Sequence, residues 1–274
     1  MKSINLFTRS LVVFLLSMVT LSLTSQVKNN FDYQPEVGQE GKDVVWVPTP
    51  QVLVEKMLEL ARITPVDFLI DLGSGDGRTV ITAAKRGISA MGIEYNHDMV
   101  LLSRYNAKQE GVEDKAQFTE ADLFEFDFSK ATVITMFLLP DINIRLRPII
   151  LNLKPGTRVV SNTFTMEEWD YDDSVTTEES GTRWNTAYMW IVPAKIEGTW
   201  KMADGEINFT QNFQMISGTI RKSTKSVDIS EGRIRGKEIT FSAGGYLYTG
   251  IVDSSKMEGT VRYDGKTDKW NANR

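Results

Sequence analysis

The sequence predicts an α/β domain built on a parallel sheet, followed by a small all-β unit. Three observations predict it. Short apolar runs alternate with amphipathic segments between residues 50 and 162, which is the pattern of strands joined by crossover helices. A glycine-rich turn, Asp71-Leu72-Gly73-Ser74-Gly75-Asp76-Gly77-Arg78, closes the first of those runs. From Ile196 onward the helical period vanishes, and short alternating runs are separated by Asp-Gly and Gly-Gly turns.

The elements follow in order. Val47-Pro48-Thr49-Pro50 is punctuation before a helix in which Val54, Met57, Leu58 and Ala61 share one face. Phe68–Leu72 reads as a buried strand, and Arg78 to Arg86 as a helix stopped by Gly87. A strand at Ala90–Glu94, a helix at Asp98–Glu110 ended by Gly111, and strands at Ala116–Glu120 and Thr132–Leu138 come next. A helix at Ile142–Leu153 and a strand at Thr157–Asn162 complete the alternation. Ser174–Glu179 and Arg183–Val192 read as a hairpin closing one sheet edge, after a polar loop at Asp170–Asp173.

In the last third, Gly198-Thr199-Trp200 opens a series continuing through Ile207–Phe209, Phe213–Ile220, Ser226–Ile229, Ile234–Phe241, Tyr246–Val252, Met257–Tyr263 and Lys269–Asn273. Turns are expected at Asp204-Gly205, Glu231-Gly232, Ala243-Gly244-Gly245 and Asp264-Gly265. This is an antiparallel meander, closed as a barrel or folded as a sandwich.

Composition narrows the chemistry. The chain has 274 residues, a net charge of −5, no cysteine and one histidine, His97. The acidic balance argues against a nucleic-acid binder. Absent cysteines exclude disulfides, thiolate metal sites and cysteine nucleophiles, and one histidine disfavours a triad or a histidine-built metal site. No metal is expected.

Lys2 and Arg9 precede an apolar stretch from Leu11 to Leu23. This fits a signal peptide over residues 1–26 and export to the periplasm or cell envelope. An uncleaved membrane anchor, with membrane association through that segment, is the alternative. The expected organisation is then an arm over 27–46, an α/β domain over 47–195 and a β domain over 196–274.

The glycine turn follows a strand and opens a helix, where backbone can approach a polar ligand closely. Asp71 ends the first strand, Glu94 ends the second, and Asp122 follows the third. Three acids at the carboxyl ends of successive parallel strands converge on one crevice. A carboxylate at the second strand suits two ribose hydroxyls. Acids at Asp71 and Asp76 would repel a pyrophosphate and suit a ligand carrying ammonium and sulfonium charges. The loop therefore favours a methyl donor over a dinucleotide.

With Gly92-Ile93-Glu94 and Asp122-Leu123, the segment Phe68–Arg78 resembles the class I, seven-strand S-adenosylmethionine-dependent methyltransferases. Val47-Pro48-Thr49-Pro50, Ala83–Gly87, Phe137-Leu138-Leu139-Pro140, Leu146-Arg147-Pro148 and Gly156–Ser161 resemble small membrane-associated protein-lysine methyltransferases, such as those of mitochondria, and their bacterial relatives. The resemblance covers roughly residues 45 to 193.

It implies a Rossmann-like seven-strand sheet with an antiparallel closing hairpin, and S-adenosyl-L-methionine as cofactor. Asp71 and Gly73 would face the methionine part, Gly75 and Gly77 would let the chain pass close, and Glu94 would hold the ribose. Asp122 would meet the adenine amine, with Leu123 packing nearby and Thr49 closing the site. Ser74, Asp76 and Tyr95 complete the implied donor set. Phe137, Leu138 and Pro140 follow the fourth strand, where the acceptor nitrogen is positioned; Phe137, Leu138 and Leu139 would form a desolvating wall.

Methyl transfer needs alignment and exclusion of water more than acid–base groups. His97 is expected as an exposed residue outside the chemistry. Trp169 and Trp184 flank the acidic stretch Glu167–Glu179, expected as a solvated loop. The acceptor is expected to be a protein amine (lysine) or a small molecule. The alternative is an exported nucleoside- or ligand-binding protein with a non-catalytic fold and a β-barrel interaction module.

Overall fold

The computed structural model describes residues 32–274, so the apolar N-terminal run lies outside the described residues. Helix α1 (Gln51–Leu60) leads into β1 (Phe68–Leu72), α2 (Arg78–Lys85), β2 (Ser89–Glu94), α3 (His97–Gln109), β3 (Ala116–Glu120) and β4 (Val133–Met136). Then come α4 (Pro140–Ile150), β5 (Arg158–Asn162), β6 (Asp173–Thr176), a single 3-10 turn (Glu178–Ser180) and β7 (Thr186–Ile191).

The sheet order is β3-β2-β1-β4-β5-β7-β6, parallel except for β7, which runs antiparallel to both β5 and β6. The chain leaves β1 toward β2 on one side and reaches β4 on the other, so a crevice opens at the carboxyl ends beside β1. Alternation along the strands feeds two apolar layers. Leu69, Val133 and Val160 pack under α1, α2 and α3; Ile70, Ile134 and Val159 pack against α4 with Phe128, Trp169 and Trp190.

The C-terminal strands β8 (Gly198–Met202), β9 (Gly205–Asn212), β10 (Met215–Lys222), β11 (Lys225–Arg235), β12 (Glu238–Ala243), β13 (Tyr246–Asp253), β14 (Lys256–Tyr263) and β15 (Lys266–Asn273) form a closed antiparallel barrel. Closure removes the free edges that a sandwich would leave. Its interior is filled: Phe241 stacks on Tyr248 at 4.7 Å between centroids and meets Trp270 edge-on at 5.8 Å.

Several boundaries differ from the sequence expectation by a few residues, and one changes the reading of a turn. Glu231-Gly232 is not a turn but a bulge inside β11, where the register shifts between Ser230 and Arg233. A side chain on Gly232 would strike the Ile216 carbonyl of the facing strand, so the glycine serves a close backbone approach. The reversal comes instead after Arg235, at Gly236 with φ 62°, which splits the expected run Ile234–Phe241 between β11 and β12. Strand β4 is also shorter than its apolar run: Phe137 and Leu138 have left the sheet.

The segment 166–173 is packed against the barrel and is not a solvated loop. Trp169 is fully buried and stacks on Phe213 of the barrel at 5.9 Å. Gln214 Nε2 donates to the Asp170 carbonyl at 2.8 Å. Asp172, whose side chain is 1% exposed, pairs with Arg233 at 2.7 Å and accepts from the Ile191 N–H. Arg233→Ala leaves that carboxylate without its cation in a dry place, and should cost about 1–3 kcal/mol. Urea denaturation of the full chain checks it. In the double variant with Asp172→Asn, the losses should be less than additive.

Candidate functional site

The turn after β1 is left-handed three times, at Gly73 (φ 75°), Gly75 (φ 54°) and Gly77 (φ 83°). Only glycine enters that region without strain. Close approach adds a second demand: a Cβ on Gly75 would lie 2.6 Å from Trp46 Nε1, and one on Gly77 2.7 Å from the Phe118 ring. Gly77 caps α2 and packs inward on Phe118, so it shapes the turn from behind.

The amides of this turn are engaged within the fold. Gly73 and Ser74 both donate to the Ile93 carbonyl, at 2.9 and 3.0 Å. The Gly75 N–H donates to Glu94 Oε2 at 2.9 Å, and Glu94 Oε1 accepts from the Asn96 N–H at 2.9 Å. The Gly77 N–H goes to the Ser74 carbonyl. A phosphate cradle needs such amides free and aimed at the ligand; here they bind β2 and the turn itself instead. Each Glu94 oxygen keeps a second lone pair for a ligand hydroxyl.

Around the turn lies a cleft, partly open to solvent. Thr49, Asp71, Gly73, Ser74, Gly75, Asp76, Glu94, Tyr95, Asp122, Leu123, Phe137 and Leu138 all line it. Pro140 does not; it is the first residue of α4, where its missing N–H is no loss. Leu139 is exposed and outside the cleft as well. His97 opens α3, is exposed, and contacts Glu120 at 2.7 Å.

The charges are arranged differently from the bare sequence pattern. Asp76 is held by Arg78, with contacts of 2.6 to 3.2 Å, and Arg78 also donates to the Thr49 carbonyl at 2.9 Å. Its charge is thus matched locally. Asp122 pairs with Lys42, whose ammonium also sits 4.5 Å above the Tyr95 ring; the ion pair with Lys42 holds the Asp122 carboxyl below its ordinary value. Of the four acids expected at the turn and strand ends, Asp71 and Glu94 have no cation partner.

Asp71 is buried, sits in register between Gly92 of β2 and Thr135 of β4, and accepts from Thr135 Oγ1 at 2.6 Å. Burial pushes its carboxyl from 3.8 up to about 7, against the lowering pull of Thr135 and Thr79, with Glu94 and Asp76 adding to the rise.

Residues 39–49 form the roof, which polarity alone did not single out. The chain folds back on itself through Gly38 N–H to the Trp46 carbonyl and Trp46 N–H to the Gln39 carbonyl, at 2.8 and 2.9 Å. Trp46, Met57 and Met99 give the cleft an apolar interior. The tryptophan just before Val47-Pro48 was the available signal for a wall residue. Thr49 Oγ1 lies 3.2 Å from Asn162 Nδ2 at the end of β5, fixing the roof to the sheet.

An adenosyl donor fits these residues on three observations. Ser74 lines the cleft, and its hydroxyl, buried against Gly92, has no hydrogen-bond partner; a polar ligand atom would satisfy it. Glu94 is anchored yet retains acceptor capacity. Two acids without cation partners face an apolar interior suited to a base and an aliphatic chain.

Known proteins are similar to this chain over the same region. The ANTKMT methyltransferase domain matches residues 71–173. A protein-lysine N-methyltransferase of Saccharolobus islandicus is 40% identical over 152 residues, covering 54% of this chain and 94% of that protein. The adenine nucleotide translocase lysine N-methyltransferase of Mus musculus is 35% identical over 118 residues, 42% of this chain; only 51% of that protein is spanned. The crystal structure of an RNA methyltransferase from Salinibacter ruber in complex with S-adenosyl-L-homocysteine is 48% identical, with a TM-score of 0.51 over 55% of this chain and 96% of that one.

The raised Asp71 value has two consequences of fixed sign. The folded state retains a proton that the unfolded chain has lost, so this group's contribution to stability falls as pH rises from about 4 through about 7. Attraction for a ligand ammonium requires the ionised form, so donor affinity measured by calorimetry should strengthen between about pH 6 and pH 8. Asp71→Asn should remove most of that gain while leaving the chain folded.

Proposed function

The chain belongs to the methyltransferase family to which the ANTKMT domain and the archaeal protein-lysine N-methyltransferase belong, and from that premise we propose that it methylates the ε-amine of lysine in a protein. The enzyme uses S-adenosyl-L-methionine. When bound, this cofactor supplies an electrophilic methyl group on a sulfonium, whose departure as a thioether needs no acid.

The chain's own residues do the rest. Ionised Asp71 and the Ser74 hydroxyl would hold the amino-acid end, and the free lone pairs of Glu94 the ribose hydroxyls. Asp122, released from Lys42, would take the base amine, with Leu123 and Trp46 against its faces. Phe137 and Leu138 sit where the turn after β4 borders the cleft. Leu138 is buried there, and its aliphatic surface disfavours the charged form of an incoming ammonium and lowers its pKa. The proton then leaves to water, since the one histidine is engaged with Glu120 outside the cleft. Proximity and the exclusion of water by the roof carry the rate.

The single observation behind this reading is the Glu94 carboxylate, tied to the Gly75 amide where a phosphate would have to sit. The lysine acceptor rests on the named activities of the relatives. A second reading, an RNA acceptor, has the named activity of the Salinibacter protein in its favour; the net charge of −5 weighs against it. We place the protein in the cell envelope on the strength of its N-terminal apolar run, which lies outside the described residues.

Tritiated donor supplied to the full chain with envelope extract should label protein, with methyl-lysines recovered on acid hydrolysis. Glu94→Ala should reduce the rate by at least about 100-fold. Label that nuclease releases would favour RNA, and label at other amino acids would remove the lysine proposal.

A further inference from the structure

Three aromatic side chains meet beside the cleft without belonging to either apolar layer. Phe137 follows β4, Phe164 follows β5, and Trp184 precedes β7. Their ring centroids lie 6.1 Å (Phe137–Phe164), 5.8 Å (Phe137–Trp184) and 5.8 Å (Phe164–Trp184) apart, with interplanar angles of 24°, 63° and 52°. All three are only half-buried, and none is part of the two sheet-covering cores. Phe137 also borders the donor cleft, so the triad adjoins the reacting end.

The backbone holds Phe164 there at some cost. Thr163 before it adopts φ 65°, an unfavourable region for a β-branched residue. The buried Asn143 of α4 donates to the Phe164 and Thr165 carbonyls at 3.3 and 3.2 Å. Strain fixed by a buried amide marks a geometry the fold maintains.

A cation already rests on one of these rings: the Arg183 guanidinium lies 4.2 Å from the Trp184 ring centre. Aromatic faces attract cations through their quadrupoles, most strongly tryptophan, and sets of rings hold alkylated ammonium groups. The loop bearing Arg183 and Trp184 begins at Glu178 and Glu179, which favours a basic partner.

We propose that Phe137, Phe164 and Trp184 form the subsite for the acceptor's ammonium group, and that Arg183 covers its Trp184 face until the acceptor displaces it. The proposal deepens the lysine reading and rests on it for the identity of the acceptor. The bond changes are those of the transfer itself: an N–C bond forms, the donor's S–C bond breaks, and one ammonium proton passes to water beforehand. Arg183 takes no part in that step; it competes for the Trp184 face.

The test uses a binding probe that needs no turnover. Nα-acetyl-Nε-trimethyl-lysine methylamide is titrated into the full chain saturated with S-adenosyl-L-homocysteine, and followed by NMR. The neutral isostere with carbon in place of the nitrogen is the control. The probe should bind at least about fivefold more tightly than the isostere. Trp184→Ala should weaken it about fivefold or more with the donor affinity unchanged, and Arg183→Ala should tighten it. That gain distinguishes competition from structural damage. Equal binding of probe and isostere, or weaker binding in Arg183→Ala, would overturn the proposal. Probe binding with these changes, but no lysine methylation in the labelling assay, would keep the cation subsite and remove the lysine reading instead.

Discussion

The contact between the Glu94 carboxylate and the Gly75 amide governs the rest of the site. It ties the turn after β1 to the end of β2, and, with Gly73 and Ser74 on the Ile93 carbonyl, directs the loop's donors into the protein. A loop that has committed its amides in this way leaves carboxylate oxygen for its ligand. That surface rejects phosphate and accepts hydroxyls and cations. The three left-handed glycines make the contact possible, because a side chain at Gly75 would collide with Trp46.

The surrounding parts follow from that choice. A ligand gripped by acids and apolar walls must be shielded from water for its electrostatic contacts to matter, and residues 39–49 supply the shield. Lys42 links that roof to Asp122 and Tyr95, so cover and binding surface are joined by a contact that a bound base would have to rearrange. On the far side, the barrel fixes segment 166–173 through Trp169, Asp170 and Asp172. It braces the sheet edge from which β7 and the acceptor-side loop extend.

Much of this was legible in the sequence because the chemistry is local. Apolar runs ending in Asp71 and Glu94 gave strands with acids at their carboxyl ends, and the glycine spacing located the turn between them. Three features were not legible. Asp76 reads as an acid of the cleft, yet Arg78 two residues later matches its charge. Asp122 meets Lys42 across 80 residues, a contact that no period or spacing announces. Phe137, Phe164 and Trp184 share a place only because β4, β5 and β7 are neighbours in the sheet. In the barrel, Gly232 looks like a turn residue, and only pairing against Ile216 makes it a bulge.

Calorimetry comparing S-adenosyl-L-homocysteine with NAD on the full chain tests the central claim most directly. The expected result is micromolar-range binding of the adenosyl compound, abolished by Glu94→Ala, and no heat from NAD. Binding of NAD with comparable affinity, or adenosyl binding indifferent to the loss of Glu94, would contradict it.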